Sequence, residues 1–215
     1  MTCPQVADLF SNSPDAYVQF LGGRYRGKEG IQRLYVQRFG GFFVGGRNGP
    51  VHGFLLDHPQ MQGIVDVNPE GTHAQARFRS MMQAGIHVSQ AKTHPRGVTQ
   101  WWEGGLYENE YIKEDGVWRI FRLRYFPFWH ADFEHGWAYK VHGFVPFPTK
   151  TFPEDPNGPD ELFAPELCAM WPDTRVVPFH YKHPVTGSQV AEQDLQAPEY
   201  GGDVGAAKPA LKIEP

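Results

Sequence analysis

Cysteine is scarce in this chain: there are two in 215 residues, Cys3 and Cys168, and neither sits in a motif. A chain of this length buries enough core to fold without a disulfide staple, and the two thiols offer no metal-ligand spacing. Long apolar runs are also missing, since no stretch approaches the roughly 20 residues that cross a bilayer. Met1 to Phe10 has no cationic region followed by an apolar stretch, so no secretory signal is read. These absences lead us to expect a soluble cytoplasmic protein with no membrane partner. Charge of one sign is lacking too: 20 Lys and Arg face 24 Asp and Glu, for a formal net charge of −4. With no basic stripe to neutralise phosphates, nucleic acid is not an expected partner. No Gly-rich loop follows a strand and opens a helix, and no Gly-x-Ser-x-Gly elbow occurs. His130 and His135 stand five apart, which is not the spacing of a helical zinc pair. No nucleotide cofactor and no metal are therefore expected.

What is abundant is aromatic: 16 Phe, nine Tyr and six Trp. Most such side chains fill cores. Tyr and Trp also keep a polar handle, so the same residues can line a pocket for a flat aromatic ligand.

Periodic segments dominate before about residue 130, and Pro- and Gly-rich stretches follow it. Two regions are expected: an α+β domain over 1–130, and a C-terminal extension over 131–215 that packs on it and ends in a loose tail from about Gln189. Ala16 to Leu21 reads as a strand ending at Gly22-Gly23. Ile31, Leu34, Tyr35 and Phe39 fall on one helical face, with Gly40-Gly41 as the expected stop. Met61 to Val67 and Thr72 to Val88 are β-prone about the turn Asn68-Pro69-Glu70-Gly71. Ser89 to Gly97 reads as a polar loop. Trp101 to Glu114 and Val117 to Phe128 form a long hairpin about Asp115-Gly116, with Pro127 expected to end the pairing. The expected fold is α+β, a strongly curved antiparallel sheet closed into a cone by helices, with a long irregular C-terminal extension.

Four passages carry a resemblance. They are VADLFSNSPDAYVQF, then GRYRGKEGIQRLY, then IVDVNPEGTHAQARFRSMM, then WWEGGLYENEYIKEDGVWRIFRLRYF, over roughly residues 6–128. In this order they resemble the nuclear transport factor 2-like superfamily and its polyketide cyclase-like (SnoaL-like) branch. The resemblance implies a cone whose interior holds acids, bases and hydrogen-bond donors, with no cofactor, and a homodimer or homotrimer. Members usually open with a longer helix over the cone; here fewer than ten residues precede Ala7, so that helix is missing or the C-terminal segment replaces it. The tail sequences WHADFEHGWAYKVHGF and FPEDPNGPDEL are similar to a branch that includes a lyase of lignin-derived diarylpropanes.

On the strand WWEGGLYENEY, Trp101, Glu103, Tyr107, Asn109 and Tyr111 share one face unless a bulge at Gly104-Gly105 intervenes, while Glu108 and Glu110 share the other. Tyr107, as a hydroxyl donor, and Arg77, on the preceding strand, are candidate catalytic groups. Arg77 and Arg79 point the same way, and either could instead pair outward with Glu108 or Glu110. His52 is the candidate base, chosen over His58 from the pair flanking Phe54-Leu55-Leu56. Trp101, Asn109, Tyr125 and Trp129 are candidate substrate-binding residues. These groups suit a cofactor-independent lyase step on an aromatic small molecule, and the similarity to the diarylpropane lyase branch implies deformylation and dehydration of a diarylpropane to a stilbene through a quinone methide. Dehydration, isomerisation or cyclisation of a polycyclic substrate, an epoxide hydrolase built on Asp57, Asp66 and Arg77, and non-catalytic binding are the alternatives.

Overall fold

Alternating residues from His73 onward build the long strands on which everything else is laid. The computed structural model describes residues 3–94, 97–137, 146–164, 168, 170–171 and 174–195. Within these, eight strands form one sheet: β1 (Tyr17–Phe20), β2 (Gly23–Arg26), β3 (Phe54–Asp57), β4 (Gln60–Val67), β5 (His73–Ile86), β6 (Thr99–Glu114), β7 (Val117–Asp132) and β8 (Glu161–Leu162). Their order is β3-β5-β6-β7-β1-β2-β8, with β4 also on β5. The pairs are antiparallel except β1 with β7, which run parallel, a pairing that the long β2–β6 connection permits. The sheet is thus mixed at one junction.

The helical elements are α1 (Cys3–Ala7), α2 (Gly27–Gln32), a π-helical stretch Arg33–Gly40, α3 (Gly41–Val44) and short 3-10 turns at Val88–Gln90 and Glu192–Leu195. The helix does not stop at Gly40-Gly41. It runs to Val44 and ends where Gly45 turns left-handed at φ 57°, a conformation that favours glycine. Gly23 to Arg26 is a strand, because its backbone pairs with β1. Ala7, Phe10, Val18, Tyr25, Ile31 and Leu34 are buried between these helices and the sheet, with Phe20, Tyr35, Phe39 and Leu123 packed against them. We call this helix-covered side the inner face.

The C-terminal extension packs along the β2 edge and then across the outer face. Residues 146–164 run beside α2 and β2. Arg33 bonds the Gly158 carbonyl at 2.8 Å and the Asp160 carboxylate at 2.5 Å, and β8 continues the sheet beyond β2. Residues 174–181 cross β5 and β6. Arg77 donates to the carbonyls of Val177 (2.7 Å) and Pro178 (2.9 Å), and His180 lies between Glu108 and Asp66. The tail from residue 196 and the stretch 138–145 lie outside the described residues.

Candidate active site

The β6–β7 hairpin fixes the site through its turn and two bulges. Asp115 and Gly116 both have positive φ, 50° and 80°, as a two-residue primed turn requires. Glu114 therefore faces Val117, and Tyr111 faces Ile120. The register then slips twice. Glu110 faces Arg122, leaving Phe121 as an extra residue, and Gly104 faces Trp129 while Gly105 faces Pro127, leaving Phe128 as another. Pro127 does not end the strand, because at this bulge the ladder tolerates a residue without an N–H. The two slips add two residues to β7. Glu103 consequently faces His130, where an unbroken hairpin would have put Phe128.

The inner face thus gathers a buried polar group among rings. Glu103 is 3% exposed. One of its oxygens accepts from the Tyr125 hydroxyl at 2.5 Å, and the other lies 2.6 Å from His130 Nε2. Both His130 ring nitrogens are buried and neither makes a hydrogen bond among the described residues, so the Nε2 approach to Glu103 is a close contact of an ionisable pair. Tyr107 packs on Tyr125 with ring centroids 4.7 Å apart, and its hydroxyl lies 3.4 Å from His58 Nε2. The His58 ring also meets Tyr125 edge-on at 5.6 Å, and Phe20 stacks on the far side of Tyr125 at 6.0 Å. Gly105 makes this possible: a Cβ there would stand 2.5 Å from the Tyr125 ring. On the opposite face Gly104 seats Trp129 in the same way, at 2.3 Å.

Burial sets the protonation states. It raises the Tyr107 and Tyr125 hydroxyls well above the ordinary tyrosine value, and the Glu103 carboxylate adds to the rise in both. Both stay protonated at neutral pH and serve as donors. Burial lowers His58, against a smaller opposing pull from Glu103 and Asp57. A neutral imidazole is thereby available as proton acceptor.

The sequence-derived candidates separate into three places. Trp101, Tyr107, Asn109 and Tyr125 all lie on the inner face. Trp101 packs on Met82 and Ala84. Asn109 is taken up by structure: its carbonyl oxygen accepts from the Arg124 N–H at 3.2 Å, filling a gap in the ladder, and its amide donates to Tyr111. Arg77 and Trp129 are on the outer face and do not meet Tyr107. Arg77 pairs with Glu108 at 2.9 Å, its direct neighbour across the strands. Trp129 has the same parity as Tyr125 in sequence, and the extra Phe128 between them turns it to the other side. His52 is exposed in the loop before β3, 3.3 Å from the Ser89 hydroxyl, and does not join the cluster. Three residues of the cluster are not among the sequence-derived candidates: Glu103, His130 and His58. Glu103 is visible in sequence as a carboxylate on the aromatic face, and His58 as the other histidine beside β3. His130 can be placed only with both bulges known.

A family model for the SnoaL-like domain matches residues 2–124. The chain belongs to the SnoaL-like domain family. No curated protein matches it. Among solved structures, this SnoaL-like chain is similar to a candidate scytalone dehydratase of Novosphingobium aromaticivorans, at 19% identity over 66% of this chain and 76% of that one, with a TM-score of 0.43. It is similar to a type 2 hexachlorocyclohexane dehydrochlorinase (LinA) at 16% identity, 67% and 80% coverage and a TM-score of 0.46. Aln2 from a Streptomyces species gives 15% identity, 57% and 74% coverage and a TM-score of 0.40. None of these fixes a reaction for the SnoaL-like chain.

Proposed function

We propose that the protein is a cofactor-free lyase acting by acid–base chemistry on an aromatic small molecule held against the inner face. The observation that carries this reading is the buried Glu103 carboxylate between Tyr125 and His130, beside the Tyr107–His58 contact. A buried carboxylate set against an imidazole contributes little stability over apolar side chains of similar volume. Convergent polar groups with shifted proton affinities in an aromatic setting support catalysis instead.

The roles follow from the protonation states. His58 takes a proton, Tyr107 donates to a departing oxygen, and Glu103 holds Tyr125, whose hydroxyl proton it accepts, in place beside His130. On a diarylpropane-1,3-diol bearing a para-phenol, a tyrosine donates to the benzylic hydroxyl. That hydroxyl leaves as water while the phenol gives its proton back to the tyrosinate, leaving a quinone methide. His58 then takes the proton of the primary alcohol, whose C–O becomes C=O as the adjacent C–C bond breaks. The released pair forms the central alkene and restores the aromatic ring. Phenolate reprotonation gives a stilbene, with one formaldehyde and one water, and no net redox change.

The test is to incubate the protein with 1,2-bis(4-hydroxyphenyl)propane-1,3-diol. Equimolar formaldehyde and stilbene are expected, and Glu103→Gln should lower kcat/KM by about 10²-fold or more at unchanged circular dichroism. Absence of formaldehyde with the wild type would remove the diarylpropane reading. A wild-type rate in Glu103→Gln would remove the site.

A further inference from the structure

The outer face carries a cavity that the proposed chemistry does not use. It has a volume of about 580 Å³, within the usual size range of small-molecule sites. Leu106, Phe128 and Trp129 line it from the sheet, and Val177, Phe179 and Tyr181 from the crossing C-terminal segment. Arg77, Arg79 and Arg175 also line it, and no carboxylate is among the described lining residues. The three guanidinium groups are not equivalent. Arg77 is held by Glu108 and two carbonyls, and its guanidinium lies 4.1 Å from the Phe179 ring centroid, so it fixes the roof. Arg79 is exposed, rests 4.8 Å over the Phe128 ring and makes no ion pair among the described residues. Its planar donors face a space walled by rings.

We propose that this cavity is a second ligand site, separate from the inner face, for a planar aromatic carboxylate. The ring would lie between the Trp129–Phe128 floor and the Phe179–Tyr181 roof, with the carboxylate on the Arg79 fork. A planar carboxylate matches a planar guanidinium in a way a bare apolar ligand does not. A phosphate would leave most of the apolar wall uncovered. The cavity exists because Gly104 lets Trp129 lie flat on the strand and because residues 174–181 are pinned across the sheet.

The probe is 2-naphthoate, titrated calorimetrically into the full chain, with uncharged 2-naphthamide as comparison. Saturable naphthoate binding is expected. It should weaken about tenfold or more in Arg79→Gln, and the amide should bind the wild type about tenfold more weakly than the acid. Arg79 is exposed, so this variant should fold. Glu103→Gln should leave naphthoate binding as it is, which separates this site from the inner one. The proposal is overturned if naphthoate does not bind, if Arg79→Gln binds it as the wild type does, if the amide binds equally well, or if Glu103→Gln abolishes binding.

Discussion

His58 differs from His52 by six positions and by its whole environment. His52 is exposed, whereas His58 sits among Tyr107, Tyr125 and Glu103, and burial depresses its proton affinity. If His58 is the base, kcat/KM falls as pH drops through a value below the ordinary 6.5. His58→Ala should remove that acid limb along with most of the rate, which a pH–rate profile will read. The stability effect has the same sense. Below 6.5 the unfolded chain binds the His58 proton more readily than the folded one, so stability falls as pH falls through that window. Chemical denaturation of wild type and His58→Ala at pH 5 and pH 8 should show a smaller drop in the variant. At this scale the sequence was partly legible. Parity along β6 put Trp101, Glu103, Tyr107 and Asn109 together correctly, because no bulge falls in β6 itself. What parity does not reveal is whether a side chain is already engaged. Asn109 mends a ladder gap, whereas Glu103 bridges two titratable groups.

At the scale of the element, the hairpin depends on Gly104 and Gly105. In sequence the pair suggests a bulge; in the structure it supplies two seats for rings, one on each face, and the extra residue lies opposite, at Phe128. That displacement moves Trp129 to the outer face and, together with the slip at Phe121, brings His130 opposite Glu103. Gly105→Ala would press a methyl against Tyr125 and should cost about 1–3 kcal/mol of stability along with activity. Gly104→Ala should cost a similar amount through Trp129 but weaken naphthoate binding and spare the inner-face reaction. Denaturant melts with both assays on each variant will tell the two faces apart. Gly116, at φ 80°, should lose about 1 kcal/mol on Gly116→Ala, since a Cβ is disfavoured there.

For the whole molecule, the C-terminal segment decides what the outer face is. β6 carries buried residues on both faces, Tyr107 and Glu103 inward and Leu106 and Glu108 outward. One-sided alternation could not foretell this, because the cover comes from residues about 70 positions later in the chain. Arg77 and Glu108 are each nearly inaccessible, so Arg77→Ala would strand a buried carboxylate beside His180 and should cost about 3–5 kcal/mol, measurable by denaturant titration. No helix among the described residues is long and apolar enough to cross a membrane.

The inner-face site is tested most directly by a crystal structure with 4,4′-dihydroxystilbene bound. The expected result is one ring packed against Tyr107, Tyr125 and His58, with a hydroxyl in hydrogen-bond reach of that cluster. A stilbene found only in the outer cavity beneath residues 174–181 would contradict it.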